Sequence, residues 1–457
     1  MKSVKELNKI ADIASKSVFK TINAFIDSQS FIESDKFVRS VTAFGEATGE
    51  GVVSGFATVD DAPVSVFAIN GETLKGGIGK VNATKIAKCV LNAGKVGNPV
   101  VGIIDTAGAR FGEGIDALEG YGEIVASFVN TNVPKILVVK GNNFGITSFL
   151  CGLSDVVICY DKSVVATSSP LILASANKVD EKSVGTAEQM ANGGVSSITV
   201  KNDAEMAKAI KTFINLFCNN IAQSEDDGNR VCRGLKVGVK TATAIAQIFD
   251  TGSFFELKKE YAPEVITGIA RLNGIAVGVV AFNGEINDGR ITAKGAGKIN
   301  EFINFCDYAT YPIINLVDCK GTANCVKCQG GIINEVAYLL AAYGKAEVPK
   351  ISLITGSAIG LGYVAFASKS VYDYTIAWEG ATIALTTDEA MARLIYADQI
   401  AQAEDKEAVV SELAKSYGEE NTTATVVAEN GYIDNVINPN FSRQYLIGAV
   451  QAFINKR

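Results

Sequence analysis

Short apolar runs alternate with longer stretches in which apolar residues recur every three to four positions, and the alternation continues through most of the chain. The short runs are rich in Val, Ile and Leu, as buried strands are, whereas the longer stretches are typical of amphipathic helices. We predict buried strands at residues 100–105, 135–139, 313–318 and 350–354, and helices at 83–93 and 299–309. Strands that alternate with helices indicate a largely parallel sheet, in which ligands bind at the carboxyl ends of the strands.

Two antiparallel hairpins precede these elements. Residues 51–59 and 63–69 form one predicted pair, with Asp60-Asp61 as its turn, and residues 267–272 and 275–282 form the other, with Asn273-Gly274 as its turn. Asn-Gly and Asp-rich pairs between apolar runs favour tight hairpin turns.

The chain therefore repeats once. Landmarks of the first half recur in order in the second: Gly55 with Gly268, Lys85 with Lys298 and Asp105 with Asp318 at an offset of 213, then Pro134 with Pro349 and Gly145 with Gly360 at an offset of 215. We predict an α/β fold with two tandem domains at residues 1–228 and 229–457, joined by the polar segment 223–236.

Composition narrows the chemistry. The chain has 457 residues, of which 48% are hydrophobic, and a net charge of −7, which argues against a nucleic-acid partner. It contains no histidine, which excludes Ser-His-Asp and Cys-His catalytic systems and every metal site that needs histidine. Nine unevenly spaced cysteines and the absence of a secretory or membrane-spanning segment predict a cytoplasmic protein with reduced thiols.

The sharpest candidate sites are two glycine turns, GNNFGIT at 141–147 and GSAIGLG at 356–362, each between a buried strand and a predicted helix. Such a turn points free backbone N–H groups at one spot, with the positive end of the helix dipole behind them. Two N–H groups can hold the oxygen of a thioester enolate without any titrating side chain. The alternative is plain packing of helix against strand.

Several motifs resemble the carboxyltransferase subunits of biotin-dependent acyl-CoA carboxylases and decarboxylases. They are DTAGAR at 105–110, EGIDALEGYGEI at 113–124, SFFEL at 253–257, FCD at 305–307, GGII at 330–333 and GYIDNVI at 431–437. The resemblance extends from about residue 30 to residue 454 and implies two crotonase-type ββα spiral domains.

The resemblance also implies site residues. The first-half turn, at Gly145 and Ile146, is expected to hold the thioester carbonyl of acyl-CoA, and the second-half turn, at Gly360, Leu361 and Gly362, the ureido oxygen of biotin. The family usually has Gly-Gly-Ala at both turns, so the bulk of Ile146 and Leu361 could narrow the pocket or demand a positive φ that large residues resist.

Further residues are assigned to cofactor and substrate. Gly108, Ala109 and Arg110, with Lys85 and Lys298, are candidates for binding CoA, whose phosphates need local positive charge. The four-residue spacing of Arg290, Lys294 and Lys298 would place them on one face of a helix, although ordinary surface charge explains such residues equally well. Val364 is expected to border the acyl group, where an apolar residue suits the methyl group of propionyl.

Partners follow from the same resemblance. No Met-Lys-Met biotinylation site and no ATP-grasp-like region are present, so biotin is expected on a separate carrier protein, with a biotin carboxylase or a membrane decarboxylase subunit as a further partner. The implied assembly is a homo-hexamer, a trimer of dimers, and no metal is assigned to the site. We predict transfer of a carboxyl group between carboxybiotin and propionyl-CoA or methylmalonyl-CoA.

The sequence leaves three alternatives open. The chain could be the α subunit of a sodium-pumping decarboxylase, in which the same transfer runs backwards. It could be a biotin-independent hydratase or isomerase that uses Glu113, Asp116 or Glu123 as acid and base, or a non-catalytic scaffold. Separately, Cys319, Cys325 and Cys328 include a Cys-x-x-Cys spacing, which fits either a metal site, with Cys306 as a fourth ligand, or buried or free thiols.

Overall fold

The computed structural model describes residues 3–42 and 45–456. The chain divides into two compact units, Met1–Cys218 and Asn219–Arg457. The division falls before the predicted boundary at 228/229, because the polar segment packs on the second unit: the Ala222 amide donates to the Gly274 carbonyl (3.0 Å), and the Cys232 amide to the Asn440 carbonyl (2.8 Å).

The first unit contains ten strands and seven α-helices among its described residues. The strands are β1 (Ile32–Ser34), β2 (Arg39–Thr42), β3 (Gly45–Thr48), β4 (Val52–Val59), β5 (Ala62–Ile69), β6 (Val100–Thr106), β7 (Lys135–Phe144), β8 (Val156–Tyr160), β9 (Val164–Ala166) and β10 (Ile198–Val200). The helices are α1 (Val4–Ala14), α2 (Lys16–Ile22), α3 (Lys80–Val96), α4 (Ile115–Val129), α5 (Pro170–Asn177), α6 (Ala187–Asn192) and α7 (Asp203–Cys218).

In the described part of the second unit there are eight strands and nine α-helices. The strands are β11 (Phe255–Leu257), β12 (Val265–Leu272), β13 (Ile275–Phe282), β14 (Ile313–Cys319), β15 (Lys350–Ile359), β16 (Tyr374–Trp378), β17 (Thr382–Ala384) and β18 (Asn435–Ile437). The helices are α8 (Thr241–Ile248), α9 (Ala293–Tyr308), α10 (Gln329–Lys345), α11 (Leu361–Phe366), α12 (Asp388–Ile395), α13 (Ala397–Gln402), α14 (Lys406–Asn421), α15 (Ala424–Glu429) and α16 (Ser442–Phe453).

The main sheets of the two units have the same topology. The first is ordered β1-β4-β5-β6-β7-β8-β10 with β9 beside β7, and the second β11-β12-β13-β14-β15-β16-β18 with β17 beside β15. In each, the hairpin pairs antiparallel and every later pair is parallel. The internal repeat read from the sequence is therefore confirmed.

The hairpin turns have the conformation that their sequences predicted. Asp60 and Asp61 have φ of 48° and 67°, and Asn273 and Gly274 have φ of 51° and 83°. Two successive positive φ values match the right-handed twist of the flanking strands, so each hairpin keeps its register to the end: Val59 lies opposite Ala62, and Leu272 opposite Ile275.

Apolar faces of these elements form a hydrophobic core in each unit. In the first, strand residues such as Phe67 and Ile104 pack with α3 and α4 residues such as Ile86 and Ile124. In the second, Leu316 and Leu353 of the sheet pack with Ile245 of α8 and Leu446 of α16, around the buried Trp378. Among the described helices, none combines the length and apolar character needed to cross a bilayer.

Candidate active site

The second-half glycine turn joins β15 to α11. Gly360 has φ of 53° and reverses the chain, and its amide donates to the Ala384 carbonyl (2.9 Å). The amides of Tyr363 and Val364 donate back to the Gly360 carbonyl (3.1 Å each). The amides of Leu361 and Gly362 precede them in the first turn, and no acceptor for either lies among the described residues. This turn therefore presents two free donors.

The first-half turn joins β7 to a 3-10 helix, Gly145–Leu153. Gly145 has φ of 74°, and its carbonyl accepts a hydrogen bond from the Ser148 hydroxyl (2.7 Å). Thr147 donates its hydroxyl to the Phe144 carbonyl (3.1 Å). For the amide of Ile146 we find no acceptor in the described part of the chain. The 3-10 geometry is where this half departs from the short α-helix of the second half.

The large side chains in these turns do not strain the backbone. The positive φ values fall on Gly145 and Gly360, and neither Ile146 nor Leu361 has one. The Ile146 side chain is half-buried and packs against the first core, and that of Leu361 is half-buried. The concern that these residues would require a positive φ is therefore wrong, because the preceding glycine makes the reversal.

A further free amide, from a neighbouring loop, lies beside each turn. In the first half, Ile78 forms a parallel bridge in which its amide donates to Gly108 and its carbonyl accepts from Arg110 (2.9 and 2.8 Å). This pattern turns the Ala109 amide to the opposite side. A Cβ on Gly108 would lie 3.5 Å from the carbonyl oxygen of Phe144, so this loop adjoins the Gly145 turn.

The second half repeats this arrangement. Ile291 bonds to the Gly321 carbonyl and the Ala323 amide (2.9 Å each), which leaves the Thr322 amide pointing away. A Cβ on Gly321 would lie 3.4 Å from the Ile359 carbonyl oxygen. Sequence reasoning missed Thr322, although the offset of 213 from Ala109 could have found it.

Two aspartates hold the strands at this edge. Asp105 accepts from the Asn142 amide (3.0 Å) and Asp318 from the Ser357 amide (2.8 Å). Each bond crosses from β6 to β7 or from β14 to β15 where the strand register shifts. The repeated aspartates are thus structural: they fix the point at which the strand that leads into the turn separates from its neighbour.

A buried polar network lies behind the second-half turn. Hydrogen bonds run from the Tyr343 hydroxyl to Asn315 Oδ1 (2.9 Å), from Asn315 Nδ2 to the Tyr372 oxygen (2.7 Å), and from the Tyr372 hydroxyl to the Ala365 carbonyl (2.8 Å). At the corresponding positions the first half has the apolar residues Gly102, Phe128 and Val157. The network anchors the last turn of α11 and so fixes the direction of the amides at its start.

The assignment of Lys85 and Lys298 to the phosphates of CoA is wrong. Both side chains are buried, at 3% and 2% exposure. Lys85 Nζ donates to the Val52 carbonyl, and Lys298 Nζ to three carbonyls, including that of Val265 (2.7 Å). Burial lowers the pKa of both amines, that of Lys298 to about 8. The repeat conserves them as ties between helix and hairpin, with no ammonium left for a ligand.

Arg110 and Arg290 are also engaged. Arg110 is 8% exposed and pairs with the buried Glu50 (2.6 Å) and with Glu113 (3.2 Å). Arg290 precedes α9 and donates to the Lys320 carbonyl (2.8 Å), so the predicted stripe does not form one helical face. These bonds place Arg110 in the frame of the site and contradict its assignment to phosphate binding.

The remaining candidates are distributed as follows. Val364 lies on the exposed side of α11, with 53% of its surface accessible, one turn after the free amides. Glu113 accepts from the Lys80 amide (2.8 Å), and Glu123 from Lys80 Nζ and the Thr84 hydroxyl (2.6 Å each). The hydrogen bond from Lys80 holds the pKa of Glu123 below its usual range, as expected for a structural carboxylate.

The cysteine cluster does not converge on one point. Cys325 and Cys328 form a disulfide with Cα atoms 5.3 Å apart, whereas Cys319 is buried and contacts the Gly321 carbonyl. The expectation of reduced thiols is therefore wrong for this pair, because three-residue spacing brings the two sulfurs together. In the described part of the chain, no three His, Cys, Asp or Glu side chains are arranged to hold a metal ion.

Comparison with known proteins shows the family to which the chain belongs. The family model for the carboxyl transferase domain matches residues 14–457. The 12S subunit of methylmalonyl-CoA carboxyltransferase from Propionibacterium freudenreichii subsp. shermanii is 30% identical over 428 residues, 89% of this chain and 82% of that protein. The α subunit of methylmalonyl-CoA decarboxylase from Veillonella parvula is 32% identical over 436 residues, 90% and 84% of the two chains.

Solved structures agree. The crystal structure of transcarboxylase 12S with methylmalonyl-coenzyme A and methylmalonic acid bound superimposes with a TM-score of 0.93 at 27% identity, over 100% of this chain and 96% of that one. A single-chain, multi-domain long-chain acyl-CoA carboxylase has a TM-score of 0.85 at 21% identity, over 98% and 47% of the chains, and shares the fold. The chain therefore belongs to the carboxyl transferase domain family and has the two-domain crotonase-like fold of transcarboxylase 12S.

Proposed function

We propose that this chain is the carboxyltransferase subunit of a biotin-dependent enzyme, which moves a carboxyl group between biotin and the α-carbon of propionyl-CoA or methylmalonyl-CoA. The observation that carries the proposal is the repeated turn, in which free backbone amides at a helix start adjoin a free amide from the neighbouring loop. Membership of the carboxyl transferase domain family supports it.

In the first half, the amides of Ile146 and Ala109 would hold the thioester carbonyl oxygen of the acyl-CoA. When the α-carbon loses a proton or a carboxyl group, negative charge builds on that oxygen as an enolate. Two N–H donors that are already in place stabilise this charge more than they stabilise the neutral thioester, and this difference lowers the barrier. No titrating side chain is required, which suits a chain without histidine.

In the second half, the amides of Leu361, Gly362 and Thr322 would hold the ureido oxygen of biotin. The donor set fits, because a ureido carbonyl oxygen accepts hydrogen bonds from N–H groups. The nearby Asp318 carboxylate already has its own donor, the Ser357 amide. Biotin, when bound on its carrier, supplies the carboxyl group and a basic ureido nitrogen. The chain's own contribution is to orient the ureido oxygen with fixed donors, which the Tyr372 network keeps aimed.

The assembly and partners follow as part of the proposal. We propose a homo-hexamer, as described for transcarboxylase 12S, and a biotin carrier protein as the partner. Apolar side chains exposed on each unit support an assembly: Phe111, Ile115 and Leu118 in the first, and Val326 and Ile333 in the second.

One close alternative has its own support. The decarboxylase α subunit from Veillonella parvula is as similar to this chain as the 12S subunit is, so the chain could run the transfer from methylmalonyl-CoA towards biotin within a decarboxylase. The same amides would serve transfer in either direction, since the forward and reverse reactions pass through the same transition state.

The test is a carboxyl-exchange assay. The purified chain is mixed with methylmalonyl-CoA labelled in its carboxyl group and with a biotinylated carrier protein, and labelled carboxybiotin is measured. We expect exchange that depends on the biotinyl group, with an apo-carrier lacking biotin as the control. No exchange with methylmalonyl-CoA or malonyl-CoA would refute the carboxyltransferase activity, and hydration of an enoyl-CoA without biotin would favour the hydratase instead.

A further inference from the structure

The disulfide between Cys325 and Cys328 lies in the segment that joins β14 to α10. Cys328 is exposed and is the residue immediately before α10, whereas Cys325 is half-buried. An incoming thiolate can therefore reach the sulfur of Cys328 directly.

The surroundings favour thiolate chemistry. From Cys319 to Asn334 the chain carries two lysines, Lys320 and Lys327, and no acidic residue. The charge of Lys320 is offset by Asp288, 3.3 Å away, so the positive charge comes from Lys327 and from the N-terminal end of the 17-residue helix α10. Positive charge and a helix start are the features that stabilise a cysteine thiolate.

The first half shows what this segment needs. There, the loop between β6 and α4 is held by Glu113, which accepts from the Lys80 amide (2.8 Å) and from Arg110 (3.2 Å). At an offset of 213, the second half has Val326 in place of Glu113, and that side chain is 91% exposed. The second half thus lacks the ionic clamp and has the disulfide in its place.

The disulfide is connected to the carbonyl-binding turn. The Cys325 amide donates to the Ala323 carbonyl (2.9 Å), and Ala323 bonds in turn to Ile291 beside the free Thr322 amide. Gln329 donates its side-chain amide to the Cys325 carbonyl (2.9 Å). Hydrogen bonds therefore link Cys325 to Ala323, the residue next to the free Thr322 amide of the candidate site.

We propose that Cys325 and Cys328 form a thiol–disulfide exchange site that takes a dithiol reductant of the thioredoxin class and whose redox state controls the order of residues 321–329. Any effect of this redox change on carboxyl transfer rests on the proposed function. One thiolate of the reductant attacks Cys328 Sγ, the Sγ–Sγ bond breaks, and Cys325 leaves as a thiolate that takes a proton. The second thiol of the reductant then displaces Cys328, so two electrons and two protons pass to the protein and the reductant becomes a disulfide.

The first readout is chemical. Protein oxidised with glutathione disulfide or reduced with dithiothreitol is denatured, alkylated and analysed by peptide mass spectrometry. We expect the peptide with both cysteines to gain two alkyl groups only after reduction, and thioredoxin to reduce it in the native protein. The buried Cys319 is the internal control, since it should be alkylated in both samples. A peptide that carries free thiols in both samples would overturn the proposal.

The second readout is hydrogen exchange of the native protein. Reduction should speed the exchange of the hydrogen-bonded amides of this segment, those of Ala323, Cys325 and Cys328, at least tenfold and leave the corresponding first-half segment, 108–116, unchanged. Cys325→Ser/Cys328→Ser should exchange at the fast rate in both conditions. Equal rates in oxidised and reduced wild type would refute the control of loop order. Loss of carboxyl exchange in both redox states would instead count against the proposed function, because neither readout here depends on activity.

Discussion

Gly362 offers the sharpest test of the backbone-donor mechanism. Its Cα lies against β14, and a Cβ at this position would come within 2.3 Å of the Cys319 carbonyl oxygen. That oxygen belongs to the main chain of a buried strand and cannot rotate away, so in Gly362→Ala the start of α11 must move outward. The amides of Leu361 and Gly362 would move with it, away from the positions that we propose for binding the ureido oxygen.

The magnitude follows from two effects. Overpacking of a closely packed site costs about 1–3 kcal/mol of stability. Loss of one preorganised donor costs about 2.7–4 kcal/mol in the transition state, or roughly a 100- to 1,000-fold fall in kcat. The packing cost is smaller than the stability of a typical native protein, about 5–15 kcal/mol, so Gly362→Ala should fold, and the lost donor should make it slow.

The assay compares Gly362→Ala with Gly344→Ala, a helical glycine of α10 whose added Cβ would contact nothing within 4 Å. Carboxyl exchange gives kcat and the KM values for the carrier and for acyl-CoA, and urea denaturation gives stability. We expect wild-type kcat for the control and at least a 100-fold lower kcat for Gly362→Ala, with the KM for acyl-CoA little changed. Wild-type kcat in Gly362→Ala would refute the reasoning.

Two further predictions concern the frame of the site. Tyr372→Phe leaves the Ala365 carbonyl without this donor and Asn315 Nδ2 with only its bond to the Phe366 carbonyl (3.3 Å), so we expect a loss of about 1–3 kcal/mol in urea denaturation and a fall in kcat, which an intact kcat would contradict. Burial lowers the pKa of Lys298 from 10.5 to about 8, so between these pH values the unfolded chain holds a proton that the folded chain has released. Stability relative to Lys298→Met should therefore rise with pH across this window, by at most about 1.4 kcal/mol per unit, and a flat or falling difference would contradict the assignment.

Much of the fold could be predicted from the sequence, because the same pattern of strands and helices occurs in both halves. Predicted strands at 100–105 and 313–318 lie within β6 and β14, and the hairpin turns at Asp60 and Asn273 have the expected conformations. The strands that lead into the turns are longer than predicted, since Asn142 and Ser357 extend β7 and β15 by bonding to an aspartate across the sheet. No period-two pattern reveals such a bond.

The site was predicted less completely. Glycine turns can be identified from the sequence, and Gly145 and Gly360 have the positive φ that such turns need. The burial of a lysine cannot be read from its sequence. Lys85 and Lys298 resemble surface residues in the sequence, yet their amines donate to carbonyls at the ends of the hairpins. Whether the Thr322 amide is free depends on the strand or loop with which its own loop pairs. The identity of its side chain does not indicate this pairing.

The most direct test of the account removes single N–H donors without changing a side chain. Replacing Ile146 or Leu361 by its α-hydroxy-acid counterpart turns one amide into an ester, and the same change at the exposed Lys5 of α1 is the control. Measured by carboxyl exchange, the account predicts a kcat about 100- to 1,000-fold lower at positions 146 and 361 and unchanged at position 5. Wild-type kcat for the esters at both turns would contradict the claim that main-chain amides hold the reacting oxygens.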